Sequence, residues 1–178
     1  MKALQLISTL LLTVLTMSNC TEESNEETTE GSNVNAKLSL SGEDTNVVGT
    51  YLEVGDVAYG RVDLTGLEHS IVLVPKGATI SEDKPVLSPN DAGYVESIIN
   101  FPDKENSFVI VAGEQLVSMI LVTNGTERRY TCESLYGTSI NCGLIQLDED
   151  SKTVIFTNTA VENTETGTLL TLNGTVKW

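Results

Sequence analysis

The sequence is short of bases. Ten Lys and Arg residues stand against 25 Asp and Glu in a chain of 178, a formal charge of −15. Nucleic-acid binding depends on Lys and Arg neutralising phosphates. Here the bases are scattered, with Arg128-Arg129 the one adjacent pair, and a nucleic-acid partner is excluded. Histidine is scarcer still: His69 is alone. A Ser-His-Asp triad would have to be built on it. No Gly-x-Ser-x-Gly occurs, Gly137-Thr138-Ser139 lacks the closing glycine, and Ser70 would point to the opposite face of a strand from His69. One His and three Cys are too few nitrogen and sulfur ligands for a zinc centre. Aromatics make up only 5% of the chain, which argues against a broad sugar-stacking platform. Tyr51, Tyr59, Tyr94, Tyr130, Tyr136 and Trp178 therefore read mainly as core or edge residues. No glycine-rich phosphate loop is present. These absences lean against an enzyme, and no catalytic residue, metal ligand or cofactor is assigned.

What is present begins at the amino terminus. Met1 and Lys2 give a positive start, and Ala3 to Met17 form an apolar run broken only by Gln5, Ser8, Thr9, Thr13 and Thr16. A membrane-spanning helix needs about 20 apolar residues. This run is shorter, and no Lys or Arg follows it as a stop-transfer anchor. A charged start, a short apolar centre and small residues before a cut site describe a secretory signal peptide. The run ends at Met17-Ser18-Asn19-Cys20, and the chain changes at once to Thr21-Glu22-Glu23-Ser24-Asn25-Glu26-Glu27.

Met17-Ser18-Asn19-Cys20 resembles the lipobox of bacterial lipoproteins. Met17 stands where Leu is usual, and Asn19 where Gly, Ala or Ser is usual. The resemblance covers the signal peptide, residues 1–19, and the cysteine after it. It implies that the Cys20 thiol receives a diacylglyceryl group, that the chain is cut before Cys20, and that the new amino terminus is acylated. The membrane would then be a partner through the lipid. Thr21 at the next position implies the outer membrane, and acidic residues just after the cysteine also resemble surface-export signals. Each buried methylene contributes about 0.8 kcal/mol, so two or three chains anchor firmly where one does not. Without Lys2, nine bases face 25 acids, a formal charge of −16.

Residues 20–35 read as a disordered acidic tether. Up to Val34 they hold no aromatic, no large apolar residue and no base, and cannot bury enough surface to offset chain entropy. About fifteen such residues reach roughly 20–25 Å. Residues 36–178 form one domain, about 140 residues, large enough for its own core.

That domain reads as all-β. Its apolar runs are short, rich in Val, Ile, Thr, Leu and Tyr, and separated by turn residues. Strands are predicted at 36–40, 47–54, 58–64, 70–74, 94–101, 107–112, 116–123, 127–132, 143–147, 153–158 and 168–176. Lys37–Leu40 and Arg61–Leu64 alternate with period two, the pattern of a half-buried strand. Ser107–Ala112 and Val117–Val122 are more continuously apolar and are expected to be covered on both faces. Asn124-Gly125 predicts a type I′ turn. Asp148–Ser151 reads as a hairpin loop, and Asn173-Gly174 as a final hairpin turn or a bulge. Both Asn-Gly-Thr sequons, at Asn124 and Asn173, read as turns. The expectation is an antiparallel β-sandwich or barrel of about 8–11 strands, with room for one short helix near 91–99. The early Gly-x-Trp of lipocalins is absent, and the spaced Cys-Trp-Cys of immunoglobulin domains is absent too.

With Cys20 lipidated, Cys132 and Cys142 remain, and an exported protein meets oxidising conditions, so the pair reads as a disulfide. A loop of about ten residues closed in this way is stabilised by about 2.7 kcal/mol in the chain-entropy model. Glu43-Asp44, Asn90-Asp91 and Asp148–Asp150 supply oxygen atoms suited to calcium, but none has EF-hand spacing. The sequence thus points to a lipid-anchored, envelope-facing β domain that binds another envelope protein or a glycan. An envelope hydrolase using carboxylates or a metal is the first alternative, and an apolar-ligand carrier with a barrel cavity the second.

Overall fold

The computed structural model describes residues 34–132 and 140–178. The readings placed on residues 1–33, Cys20 among them, and those on Tyr136, Gly137 and Ser139, lie outside the described residues.

Among the described residues eleven strands follow in order: β1 (Ala36–Gly42), β2 (Tyr51–Tyr59), β3 (Ser70–Pro75), β4 (Thr79–Ile80), β5 (Ile99–Asn100), β6 (Ser107–Gly113), β7 (Val117–Thr123), β8 (Thr126–Cys132), β9 (Leu144–Asp148), β10 (Thr153–Asn163) and β11 (Leu169–Lys177). Two single helical turns, α1 (Thr45–Val48) and α2 (Val62–Thr65), interrupt them, and a 3₁₀ turn covers Val95–Ser97. The fold is all-β. Eight antiparallel strands, in the order β11-β1-β2-β3-β6-β7-β8-β10, close into a barrel through the β10–β11 pairing. The strand β10 is long enough to carry two neighbours on one edge. Its first half pairs with β9, and its far end, Glu162-Asn163, pairs with β8.

An eight-strand barrel leaves an interior that side chains just fill. Leu38 and Leu40 of β1 point inward while Lys37 and Ser39 face water, as period-two alternation requires. They join Val54, Ile71, Leu73, Ile110, Met119, Tyr130, Phe156, Leu170 and Leu172 in one buried cluster. A second, smaller cluster lies outside the barrel wall. The long excursion between β3 and β6 folds back so that Ala78, Ile98 and Ile99 cover Val72 and Val74. Asp56 pins this excursion down: its Oδ2 accepts the Ile80 N–H at 2.8 Å, and its Oδ1 accepts the Val57 N–H at 2.8 Å.

Several local expectations need correction. Val47 and Val48 belong to α1, not to a strand, and β2 begins only at Tyr51. The alternation at Arg61–Leu64 is not a strand. Tyr59 ends β2, Gly60 takes φ 67°, and residues 62–65 turn once as α2 before Gly66 stops them in the left-handed region. Val62 is 48% exposed, so the two apolar residues of that alternation do not share one buried face. The run 94–101 is a 3₁₀ turn followed by the two residues of β5. The strand buried on both faces is β3, because the excursion lies on it; β6 is covered on its outer face in part, at Val109 and Val111, and Ser118 of β7 is exposed.

The turn chemistry behaves as expected at Asn124-Gly125, where φ values of 51° and 73° make a tight two-residue link from β7 to β8. Asn173-Gly174 is a bulge site, not a hairpin. The β10–β11 register shifts between Phe156 and Thr159, and the Asn158 N–H donates to Asn173 Oδ1 at 2.7 Å. Gly174 lets β11 press on β1, since a Cβ there would stand 2.9 Å from Leu38 Cδ2.

Candidate functional site

Antiparallel pairing brings the ends of β2, β6 and β8 and the starts of β3 and β7 to one mouth of the barrel. The β9–β10 hairpin rises over this mouth. Between hairpin and rim lies an open cleft of about 590 Å³, lined by Tyr59, His69 and Glu114 on the rim and by Gln146–Ser151, Thr153 and Ile155 on the hairpin.

Tyr59 holds the two walls together. Its hydroxyl donates to Glu149 Oε2 at 3.1 Å and lies 3.0 Å from His69 Nδ1. A hydroxyl has one proton. With that proton directed at Glu149, the His69 contact requires the imidazole to carry its hydrogen on Nδ1 and to donate. The file therefore runs from His69 through Tyr59 to the Glu149 carboxylate, and it fixes the ring of the only histidine. Desolvation, then the Glu149 carboxylate as acceptor and as charge, push the Tyr59 hydroxyl above its ordinary pKa. The Tyr59 ring stacks on Trp178 with centroids 5.7 Å apart, and the Trp178 backbone N–H donates to the Lys152 carbonyl, so the residue after β11 also braces the hairpin.

Other candidates are placed elsewhere. Ser70 is buried, with its hydroxyl donating to the Leu67 carbonyl at 2.9 Å, and it does not meet His69. The Cys132 and Cys142 sulfurs form a disulfide, and both residues are buried. It ties the end of β8 to the approach to β9, the two strands that share one edge of β10. Asp148 Oδ1 accepts the Ser151 N–H at 3.0 Å, shaping the hairpin loop; backbone and side chain of Ser151 hold its carboxyl below the usual range. Among the described residues no group of three or more His, Cys, Asp and Glu side chains converges as a metal site. Asp91 accepts from the Ser88 N–H in its own loop. The described tyrosines are spread over separate sites. Tyr51 lies under Lys37 Nζ, 3.3 Å from the ring centre, and Tyr94 donates to the Asp63 carbonyl.

At the opposite mouth, Asp44 collects three donors on one oxygen: Thr168 Oγ1 at 2.7 Å, Tyr130 Oη at 2.8 Å and Asn163 Nδ2 at 3.2 Å. Desolvation raises the Asp44 carboxyl, but the three hydrogen bonds together outweigh it and leave it below its ordinary pKa. Burial, then the bond to Asp44, push the Tyr130 hydroxyl up to about 12. None of these four residues lines the mouth cleft. Neither constellation carries a local signal in the sequence, because Tyr59 and Glu149 are 90 positions apart and Asp44 and Thr168 are 124. Comparison with family models, with curated proteins and with solved structures finds no match to this chain.

Proposed function

We propose that this chain is a lipid-anchored protein of the bacterial cell envelope whose barrel is a binding or assembly module. Lipid on Cys20 holds it at a membrane, the outer one by the residue that follows. The acidic segment after Cys20 keeps the barrel off an anionic surface. The barrel partners another envelope protein or a glycan. The observation that carries the binding reading is the filled interior. Twenty-odd apolar side chains occupy the space where a carrier would hold its ligand, which leaves outer surfaces and the open mouth for recognition.

A carboxylate hydrolase is the second reading, favoured by one arrangement: His69, held by Tyr59 and Glu149, faces a cleft that Glu114 and Asp150 also line. Turnover of any glycoside or ester that is lost in His69→Gln would favour it over the binding module. The first reading is tested at its anchor. Native protein is expected in the membrane fraction with a lipid mass on the amino-terminal peptide, and Cys20→Ser in the soluble fraction. A Cys20→Ser protein that stays with the membrane would move the anchor elsewhere.

A further inference from the structure

The cleft at the barrel mouth borders an unpaired strand edge. The order of strands ends at β9, which pairs with β10 on one side; among the described residues no strand pairs with its other side. In an antiparallel ladder, alternate residues direct both backbone groups to the same side. The Leu144 carbonyl accepts from Thr159 Oγ1 of β10, so Leu144, Gln146 and Asp148 face β10 and Ile145 and Leu147 face away. Gln146 and Leu147 point to opposite faces of β9, and both line the cleft. Asp148, Thr153 and Ile155, which share the face of Gln146 by register, line it as well, so the cleft lies over that face of β9 and β10 and reaches the free edge at Leu147.

Natural edges are usually blunted by Lys, Pro, a bulge or a covering loop. The strand Leu144–Asp148 has no Lys and no Pro, and its pairing with β10 shows no register shift. What surrounds it is negative charge: Asp148, Glu149 and Asp150 at its end and Glu114 across the cleft. A second copy pairing edge to edge would bring these acids against their own kind, so self-association is opposed. A positively charged strand meets no such opposition.

We infer that the mouth cleft takes an extended, basic peptide segment of a partner protein by strand addition to β9. Its backbone pairs with Ile145 and Leu147, and its Lys or Arg side chains meet the acids around the cleft. The inference rests on the binding-module reading and is independent of the anchor. Five residues of strand span about 17 Å, room for a short segment.

The test uses the full chain in detergent and an alternating (Lys-Val)₅ peptide, read by the emission of Trp178, the only tryptophan, stacked on Tyr59 beside the site. Saturable binding is expected. It should weaken at least tenfold when alternate peptide nitrogens are methylated, when Glu replaces Lys, and on raising salt from 0.05 to 0.5 M. Leu147→Pro removes one edge N–H that β10 does not use, and edge strands accept proline; the variant should bind at least tenfold more weakly with unchanged circular dichroism. If it does not fold, the methylated peptide on native protein decides. Equal binding of native and methylated peptides, or no binding at millimolar concentration, overturns the inference and leaves the acids as guards of the edge. Crosslinking in membranes separates the two levels. A partner retained equally by native and Leu147→Pro chains keeps the binding module and removes this site, whereas no partner in either removes both.

Discussion

At the scale of single residues, the groups that matter most are those whose polar atoms have one arrangement available. Asp44 is half-buried and receives three donors, one of them the hydroxyl of a tyrosine whose side chain is otherwise in the core. Asp44→Ala leaves Tyr130, Asn163 and Thr168 without that acceptor, and a buried donor left unpaired costs about 1–3 kcal/mol. The expected loss in urea denaturation at neutral pH is about 2–3 kcal/mol. The pH dependence has a definite sign. The folded Asp44 carboxyl is depressed, so its contribution is fully present above the unfolded value near 3.9 and is lost as pH falls through the lower folded value. The stability gap between native protein and Asp44→Ala should narrow below about pH 4 and stay constant from pH 5 to 8. A gap that is flat down to pH 2 would show that the carboxylate charge contributes nothing. On the alkaline side the Tyr130 hydroxyl, pushed up to about 12, keeps its proton for the bond to Asp44 throughout the range from pH 5 to 8.

At the scale of elements, the excursion between β3 and β6 shows how a strand becomes covered twice. The inner face of β3 packs in the barrel, and its outer face is roofed by Ala78, Ile98 and Ile99. Asp56 links that roof to β2 through the Ile80 N–H. The Arg61 guanidinium adds a second tie, donating to the Ser81 and Asp83 carbonyls while paired with Asp63. Asp56→Ala removes the acceptor of two backbone donors, and the roof should open well below global unfolding. Limited digestion with a glutamate-specific protease is expected to cut after Glu82 several-fold faster in the variant, while the barrel core keeps its hydrogen-exchange protection; equal cutting would assign the roof to its apolar contacts alone. The same segment explains what was legible in the sequence and what was not. Period two at Lys37–Leu40 and the turn residues at Asn124-Gly125 are local rules, and the chain obeys them there. At Arg61–Leu64 the same alternation is overridden, because Gly60 and Gly66 both take positive φ and the chain must reverse there from β2 into antiparallel β3. Continuous apolar runs pointed to β6 and β7 as doubly covered, yet coverage is decided by where a distant segment lands, and it lands on β3 and part of β6. The mouth cleft is illegible for that reason too. The residues that wall it come from β2, the β6–β7 turn and the β9–β10 hairpin, and only barrel closure brings them together.

At the scale of the whole molecule, charge is the dominant feature, and it acts on stability as well as on recognition. Two ion pairs form among the described residues, Arg61–Asp63 and Arg129–Glu127, and the second is largely exposed. Exposed pairs contribute about 0–1 kcal/mol, so screening them loses little. The remaining acids outnumber the bases and are held closer together in the folded barrel than in the unfolded chain. Screening shortens the Debye length from about 30 Å at 0.01 M to about 8 Å at 0.15 M, and repulsion between acids on one face falls within that range. Thermal unfolding should therefore shift upward by several degrees between those sodium chloride concentrations, which for a domain of this size corresponds to about 1–2 kcal/mol. Chloride is the salt to use, since sulfate would also strengthen apolar burial. The direction separates two accounts of the same composition. A downward shift would mean that attractive pairs outweigh the surplus of acids, and the field proposed to draw a basic segment into the mouth would lose its source. An upward shift that shrinks when Glu114→Gln and Asp150→Asn are combined would place a measurable part of that field at the mouth itself, beside the free edge of β9.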